Sequence, residues 1–184
     1  MNKAIYAFSG DPITNGHINI IKRALAVFDQ LVVGIGVNPK KKYLFSLEER
    51  TVMAKRILQR YSNVSVIAFE GLLVDYAYEN GISTIIRGVR NSEDFNYEIL
   101  LSQLNNSQKH GIDTFFLPAL KKYLHVSSSA VKALQMEQGF ISEFVPLHVK
   151  ERLEEKLSGQ HIIGISGEIG SGKSYIAKKL TQLA

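Results

Sequence analysis

The residues best placed to do chemistry come early, in Ser9-Gly10-Asp11-Pro12-Ile13-Thr14-Asn15-Gly16-His17. They follow the apolar run Ala4-Ile5-Tyr6-Ala7-Phe8 and precede a helical pattern. A strand that turns sharply into a helix gathers free backbone N–H groups and the positive end of a helix dipole in one place, and both favour an anion. Thr14 and His17, three apart, reach one side of that turn. A histidine so placed donates hydrogen bonds to phosphate oxygens as charge builds in a transition state. Taken alone, the same histidine would more simply be an exposed first-turn residue. Further along, Arg87 and Arg90 flank Gly88-Val89 at the end of another apolar run. Arginine at the carboxyl edge of a sheet, beside glycine, is a candidate phosphate ligand. Ser127-Ser128-Ser129 open a helix, where one serine suffices for a cap and three offer extra hydroxyls to an anion. Lys41 lies within Lys40-Lys41-Lys42 and has a plain alternative as one of three solvated lysines.

These residues need a scaffold, and the periodicity supplies one. Strands are expected at Met1–Phe8, Gln30–Val37, Val64–Phe69, Ser83–Ile86 and Thr114–Leu117, all short and apolar. Helices are expected at Gly16–Phe28, from the capping box Ser46-Leu47-Glu48-Glu49 to Arg60, and at Leu72–Glu79 before Asn80-Gly81. Further helices are expected from Asn91 or Ser92 to about Lys109, from the serine triplet to Gly139, and from Pro146 to about Leu157. Arg87–Arg90 and Lys121–Val126 are expected as loops. Alternating strand and helix calls for an α/β, Rossmann-like, doubly wound five-stranded parallel sheet with helices on both faces.

The 184 residues suit one domain with a small appendage. The absence of cysteine excludes disulfides and thiolate metal sites and fits a cytoplasmic setting. No apolar run approaches the ~20 residues of a membrane span, and no signal-peptide layout precedes the first strand. The net charge of +5 is scattered rather than gathered into a basic tract, which points to phosphorylated small molecules rather than nucleic acid.

The chain resembles a known family. Ser9-x-Asp11-Pro12-x-Thr14-x-Gly16-His17 is similar to the Thr/His-x-Gly-His signature of the nucleotidyltransferase superfamily. Ile86-Arg87-Gly88-Val89-Arg90, Asp94-Phe95-x-Tyr97-Glu98 and Val126-Ser127-Ser128-Ser129 resemble the bacterial phosphopantetheine adenylyltransferases, in that family's order, over residues 1–158. The resemblance implies adenylyl transfer from ATP to 4′-phosphopantetheine with Mg2+, giving dephospho-coenzyme A and pyrophosphate in coenzyme A biosynthesis. By position, it implies that His17, Lys41 and Arg87 are catalytic and that Ser9, Lys41, Leu73 and Arg87 hold phosphopantetheine. ATP would meet Ser9, Gly10, His17, Gly88, Val89, Arg90, Glu98 and the run Tyr123, Leu124, His125, Val126, Ser127, Ser128 and Ser129. A homohexamer is implied as well. Alternatives are a nicotinamide-mononucleotide adenylyltransferase or related nucleotidyltransferase, and a non-catalytic nucleotide-binding remnant of a fused enzyme.

Two stretches depart from the family. It reads Gly-Thr/Ser-Phe-Asp-Pro where this chain has Phe8-Ser9-Gly10-Asp11-Pro12, and Pro118–His125 lacks the usual serine-rich, acidic-aromatic character. Residues 159–184 form a second segment. His161–Ser166 is strand-like, and Gly167-Glu168-Ile169-Gly170-Ser171-Gly172-Lys173-Ser174 fits the phosphate-loop formula Gly-x4-Gly-Lys-Ser. It resembles the start of dephospho-coenzyme A kinase, without the rest of such a kinase. Gly167, Gly172, Lys173 and Ser174 are its candidate phosphate ligands.

Overall fold

Ala4 to Ala7 are all buried, as a strand covered on both faces requires, and they form the centre of β1 (Lys3–Phe8). The computed structural model describes residues 2–108, 111–158 and 164–181. β2 (Gln30–Gly36), β3 (Val64–Phe69), β4 (Thr84–Val89) and β5 (Asp113–Pro118) complete a five-stranded parallel sheet in the order β3-β2-β1-β4-β5. The chain runs outward from β1 in one direction, then restarts with β4 on the other side of β1. The sheet therefore has a switch point between the carboxyl ends of β1 and β4, where open α/β sheets leave a crevice for ligands.

Alternate residues of β1 face different cores. Ala4 and Tyr6 join the cluster beneath α1 (Asn15–Ala24), α2 (Leu47–Leu58), α5 (Ser128–Met136) and α6 (Leu147–Ser158). Ile5 and Ala7 join the cluster formed with Leu73, Val74 and Ala77 of α3 (Leu73–Glu79). Helices thus cover both faces. Gly34 and Gly36 in β2 are required by packing, because a Cβ on either would stand 2.8–3.0 Å from the Phe69 ring.

The expected elements are present with shifted ends. α1 stops at Ala24 rather than Phe28, although Phe28 stays buried, and α5 stops at Met136, short of Gly139. α4 (Ser92–Gln108) follows β4; its expected end at Lys109 lies outside the described residues, as does Met1 of the first strand. The expected loop Arg87–Arg90 requires correction: Arg87, Gly88 and Val89 belong to β4. Their pairing with Phe116, Leu117 and Pro118 of β5 extends the strand through the glycine. Lys121–Tyr123 forms a short 3-10 turn inside the expected loop. Gly164–Ser166 is irregular rather than strand, and His161–Ile163 lie outside the described residues. α7 (Lys173–Thr181) follows the glycine-rich loop. Among the described residues no helix is long and apolar enough to cross a membrane.

Candidate active site

The turn after β1 is held from three directions. The Asp11 carboxylate, 4% exposed, accepts from Leu44 N at 3.1 Å and Phe45 N at 3.0 Å and pairs with Lys132 Nζ of α5 at 2.5 Å. Arg50, on the buried face of α2, donates through Nη1 to Ser9 O and, at 2.8 Å, to Gly36 O, and stacks over Tyr43. Burial lowers the Arg50 pKa from its usual value. Ser128 Oγ donates to Pro12 O at 2.8 Å. Backbone that would otherwise be a mobile loop is thereby bound to α2, α5 and the loop before α2.

The same turn begins α1 with a capping box in which histidine stands at the third position. Thr14 Oγ1 accepts from His17 N, and Thr14 N donates to His17 Nδ1 at 3.0 Å. An Nδ1 that accepts from a backbone N–H carries no proton, so the neutral ring carries its hydrogen on Nε2. Burial, then the charges of Arg90 and Lys41, lower the His17 pKa from 6.5 to about 3. His17 is accordingly a neutral Nε2–H donor throughout the physiological range. Its ring lies flat against Phe8, with centroids 4.2 Å apart and an interplanar angle of 16°.

At the carboxyl end of β4, Arg87 Nη1 donates to Ala7 O at 3.3 Å, and Arg87 Nε stands 3.0 Å from Glu98 Oε2. That oxygen takes no well-aligned hydrogen bond, so the Arg87–Glu98 contact is chiefly electrostatic. Burial raises the Glu98 pKa, with Arg87 opposing. Arg90 donates to Asp94 through Nε at 2.8 Å and Nη2 at 3.2 Å, an alignment that raises the arginine pKa and lowers that of the carboxyl. The first turns of α4 thus aim both arginines. From the opposite side, Lys41 Nζ reaches Ser9 Oγ at 3.5 Å.

α5 closes the third side. Ser127 Oγ caps it by accepting from Ala130 N at 3.1 Å, while Ser128 is committed to Pro12 O. Among the described residues Ser129, which is exposed, keeps its hydroxyl without a partner beside the first-turn N–H groups.

Ser9, Gly10, His17, Lys41, Leu73, Arg87, Gly88, Arg90, Glu98, Tyr123, Val126 and Ser127–Ser129 line one cleft of about 610 Å³ at the switch point. Val89, Leu124 and His125 are not on its wall: Val89 is buried, Leu124 points to solvent, and His125 packs edge-on against Phe144 at 5.4 Å. Phe69, Leu72 and Leu73 make one end of the cleft apolar, and Tyr97 and Leu101 of α4 form an outer wall. Gly167, Gly172, Lys173 and Ser174 lie in the C-terminal segment, where Lys173 Nζ donates to Gly167 O at 2.6 Å and Glu168 O at 2.5 Å.

Asp11, Arg50 and Lys132 were not legible as site residues. A charged residue at an apolar position of α2 was the available signal for Arg50, and the Asp-Pro step before a helix for Asp11. Lys132 offered none. What the cleft can do follows from its parts: one neutral hydrogen-bond donor, three cations and a helix N-terminus surround a space wide enough for two phosphorylated groups.

The cytidylyltransferase-like family matches residues 9–134. The phosphopantetheine adenylyltransferase of Clostridium botulinum strain Hall is 44% identical over 158 residues, spanning 86% of this chain and 96% of that protein. That of Clostridium tetani is 46% identical over 156 residues, 85% of this chain and 98% of that protein.

Proposed function

The chain belongs to the phosphopantetheine adenylyltransferase family, and from that membership we propose how its cleft carries out adenylyl transfer from ATP to 4′-phosphopantetheine. A phosphate oxygen of 4′-phosphopantetheine attacks the α-phosphorus of ATP in line. The bond to the bridging oxygen breaks, leaving dephospho-coenzyme A and pyrophosphate. The attacking phosphate is already an anion, so no covalent intermediate and no deprotonated side chain are needed. Positioning and charge neutralisation supply the rate.

His17 Nε2–H donates to the α-phosphate as charge accumulates there. Ser9, Lys41 and Arg87 hold the incoming phosphate, and the apolar end at Leu73 takes the pantetheine arm. Arg90, the α5 N–H groups and Ser129 receive the leaving pyrophosphate. Gly88, Tyr123 and Val126 face the nucleotide. The observation that supports these assignments is that Lys41, Arg87, Arg90 and the start of α5 line one cleft with a fixed, neutral His17.

A Mg2+ ion would be held by the triphosphate itself, where it would offset phosphate charge, because the cleft carboxylates Asp94 and Glu98 are engaged by Arg90 and Arg87.

Residues 1–158 form the transferase domain and act in the cytoplasm as a homohexamer. In support of assembly, α4 has no buried residue and exposes Phe95, Leu100 and Leu104 at 40%, 60% and 60%. Residues 159–184 are the opening of a kinase-like phosphate loop. Gly170 at φ 85° and Gly172 at φ 82°, with Lys173 folded over its own loop, give it the curvature such loops use.

Substrate profiling tests the assignment. Pyrophosphate release from ATP is expected with 4′-phosphopantetheine and not with nicotinamide mononucleotide; release with the mononucleotide alone would overturn it.

A further inference from the structure

The imidazole of His17 is gripped at one edge, where Nδ1 accepts from Thr14 N at 3.0 Å and lies 2.8 Å from Thr14 Oγ1. A ring held along one edge can still rock about that edge, and the far edge, which carries Nε2–H, would sweep through the cleft. The Phe8 ring removes this freedom by lying against the imidazole face at 4.2 Å and 16°. Phe8 is itself backed by Tyr6, 4.8 Å away and tilted by 43°, on the same face of β1. Gly10 borders the pair: its φ of +63° disfavours a side chain, and a Cβ there would press on Ile35 Cδ1 at 3.2 Å while only touching Phe8 Cε2 at 3.4 Å.

We infer that Phe8 is a positioning residue of the transfer site: laid flat on His17, it fixes the direction of Nε2–H. This rests on the adenylyl-transfer function proposed above. A stacked pair also keeps water from one imidazole face, so the same contact helps hold the ring neutral. The charged and titratable groups facing His17 are Lys41 from the β2–α2 loop, Arg90 after β4, and the buried phenol of Tyr6 from β1. Arg87, Glu98 and Asp94 lie further along the cleft, α5 presents only serines, and the Asp11–Lys132 pair ties the turn beneath. Lys41 and Arg90 oppose a proton on His17 whatever stands at position 8. Loss of the Phe8 stack therefore raises the His17 pKa from about 3 towards 6.5 without reaching it.

The test pairs ring titration of His17 by NMR with steady-state kinetics, in the full chain. In the natural protein His17 is expected to keep the Nε2–H tautomer without titrating down to about pH 5. Phe8→Leu keeps apolar volume but removes the flat stack. It should bring His17 into titration and lower kcat about tenfold with KM changed less than about twofold. Phe8→Tyr should restore both readouts. An unchanged His17 titration in Phe8→Leu, or an unchanged kcat, overturns the inference. If the natural protein releases no pyrophosphate, adenylyl transfer itself fails, and the titration alone then decides whether Phe8 holds His17.

Discussion

Of the glycine-bearing turns that lead into helix N-termini, Ser9–His17 and Gly167–Ser174 differ in their surroundings. In the first, α2, α5 and the β2–α2 loop reach the turn through Arg50, Lys132, Ser128 and the amides of Leu44 and Phe45. The reacting side chain is fixed by Thr14 and Phe8. In the second, Lys173 bonds, among the described residues, only the carbonyls and serine of its own loop, and Ile169 is fully exposed. A phosphate-loop formula supplies local curvature and free N–H groups. The first turn adds a cleft, and with it arginines at the end of a second strand and an apolar end for the remainder of a substrate. A turn becomes a catalytic site when other elements fix what it presents.

That contrast breaks most sharply at His17. His17→Ala should lower kcat by about 10²–10³ with little effect on ATP affinity, since the donor is worth most as charge develops. Single-turnover kinetics beside calorimetry of ATP binding would check it. Next comes the anchoring beneath the turn. Asp11→Ala leaves Lys132 without its partner and two amides without an acceptor, and should destabilise the fold by about 3 kcal/mol in urea titration.

Protonation gives a third contrast. His17 has its folded pKa depressed to about 3 from 6.5, so the unfolded chain binds its proton first as pH falls. Stability should decline from about pH 6.5 downward through this residue, and His17→Gln should flatten that decline. The smallest effect belongs to the second turn. Lys173→Ala should change adenylyl-transfer kcat and KM by less than about twofold, and a larger loss would show that the loop contributes to the transferase site.

Much of the fold is legible in the sequence. Strand and helix alternation followed from periodicity, and Ser46-x-x-Glu49 and Ser127 marked helix starts that the hydrogen bonds match. The residues that gather at the switch point were readable largely through the family resemblance, since Lys41 alone could be a solvated lysine and a serine at a helix start a simple cap. What stayed hidden depends on long separations. Asp11 meets Leu44, Phe45 and Lys132 across 33, 34 and 121 residues, and no local pattern encodes those pairs. Arg87–Arg90 read as a loop, yet Arg87, Gly88 and Val89 pair with β5. Ser128 read as an anion ligand, yet its hydroxyl holds Pro12. The exchanged Phe8 and Gly10 were visible as a departure, but only the stack on His17 gives that exchange a physical meaning.

The most direct measurement follows the products of the full chain supplied with ATP, Mg2+ and 4′-phosphopantetheine. Dephospho-coenzyme A and pyrophosphate should form in equal amounts, with no coenzyme A and no ADP. Absence of pyrophosphate would contradict the assignment of the first turn, and appearance of coenzyme A with ADP would contradict that of the second.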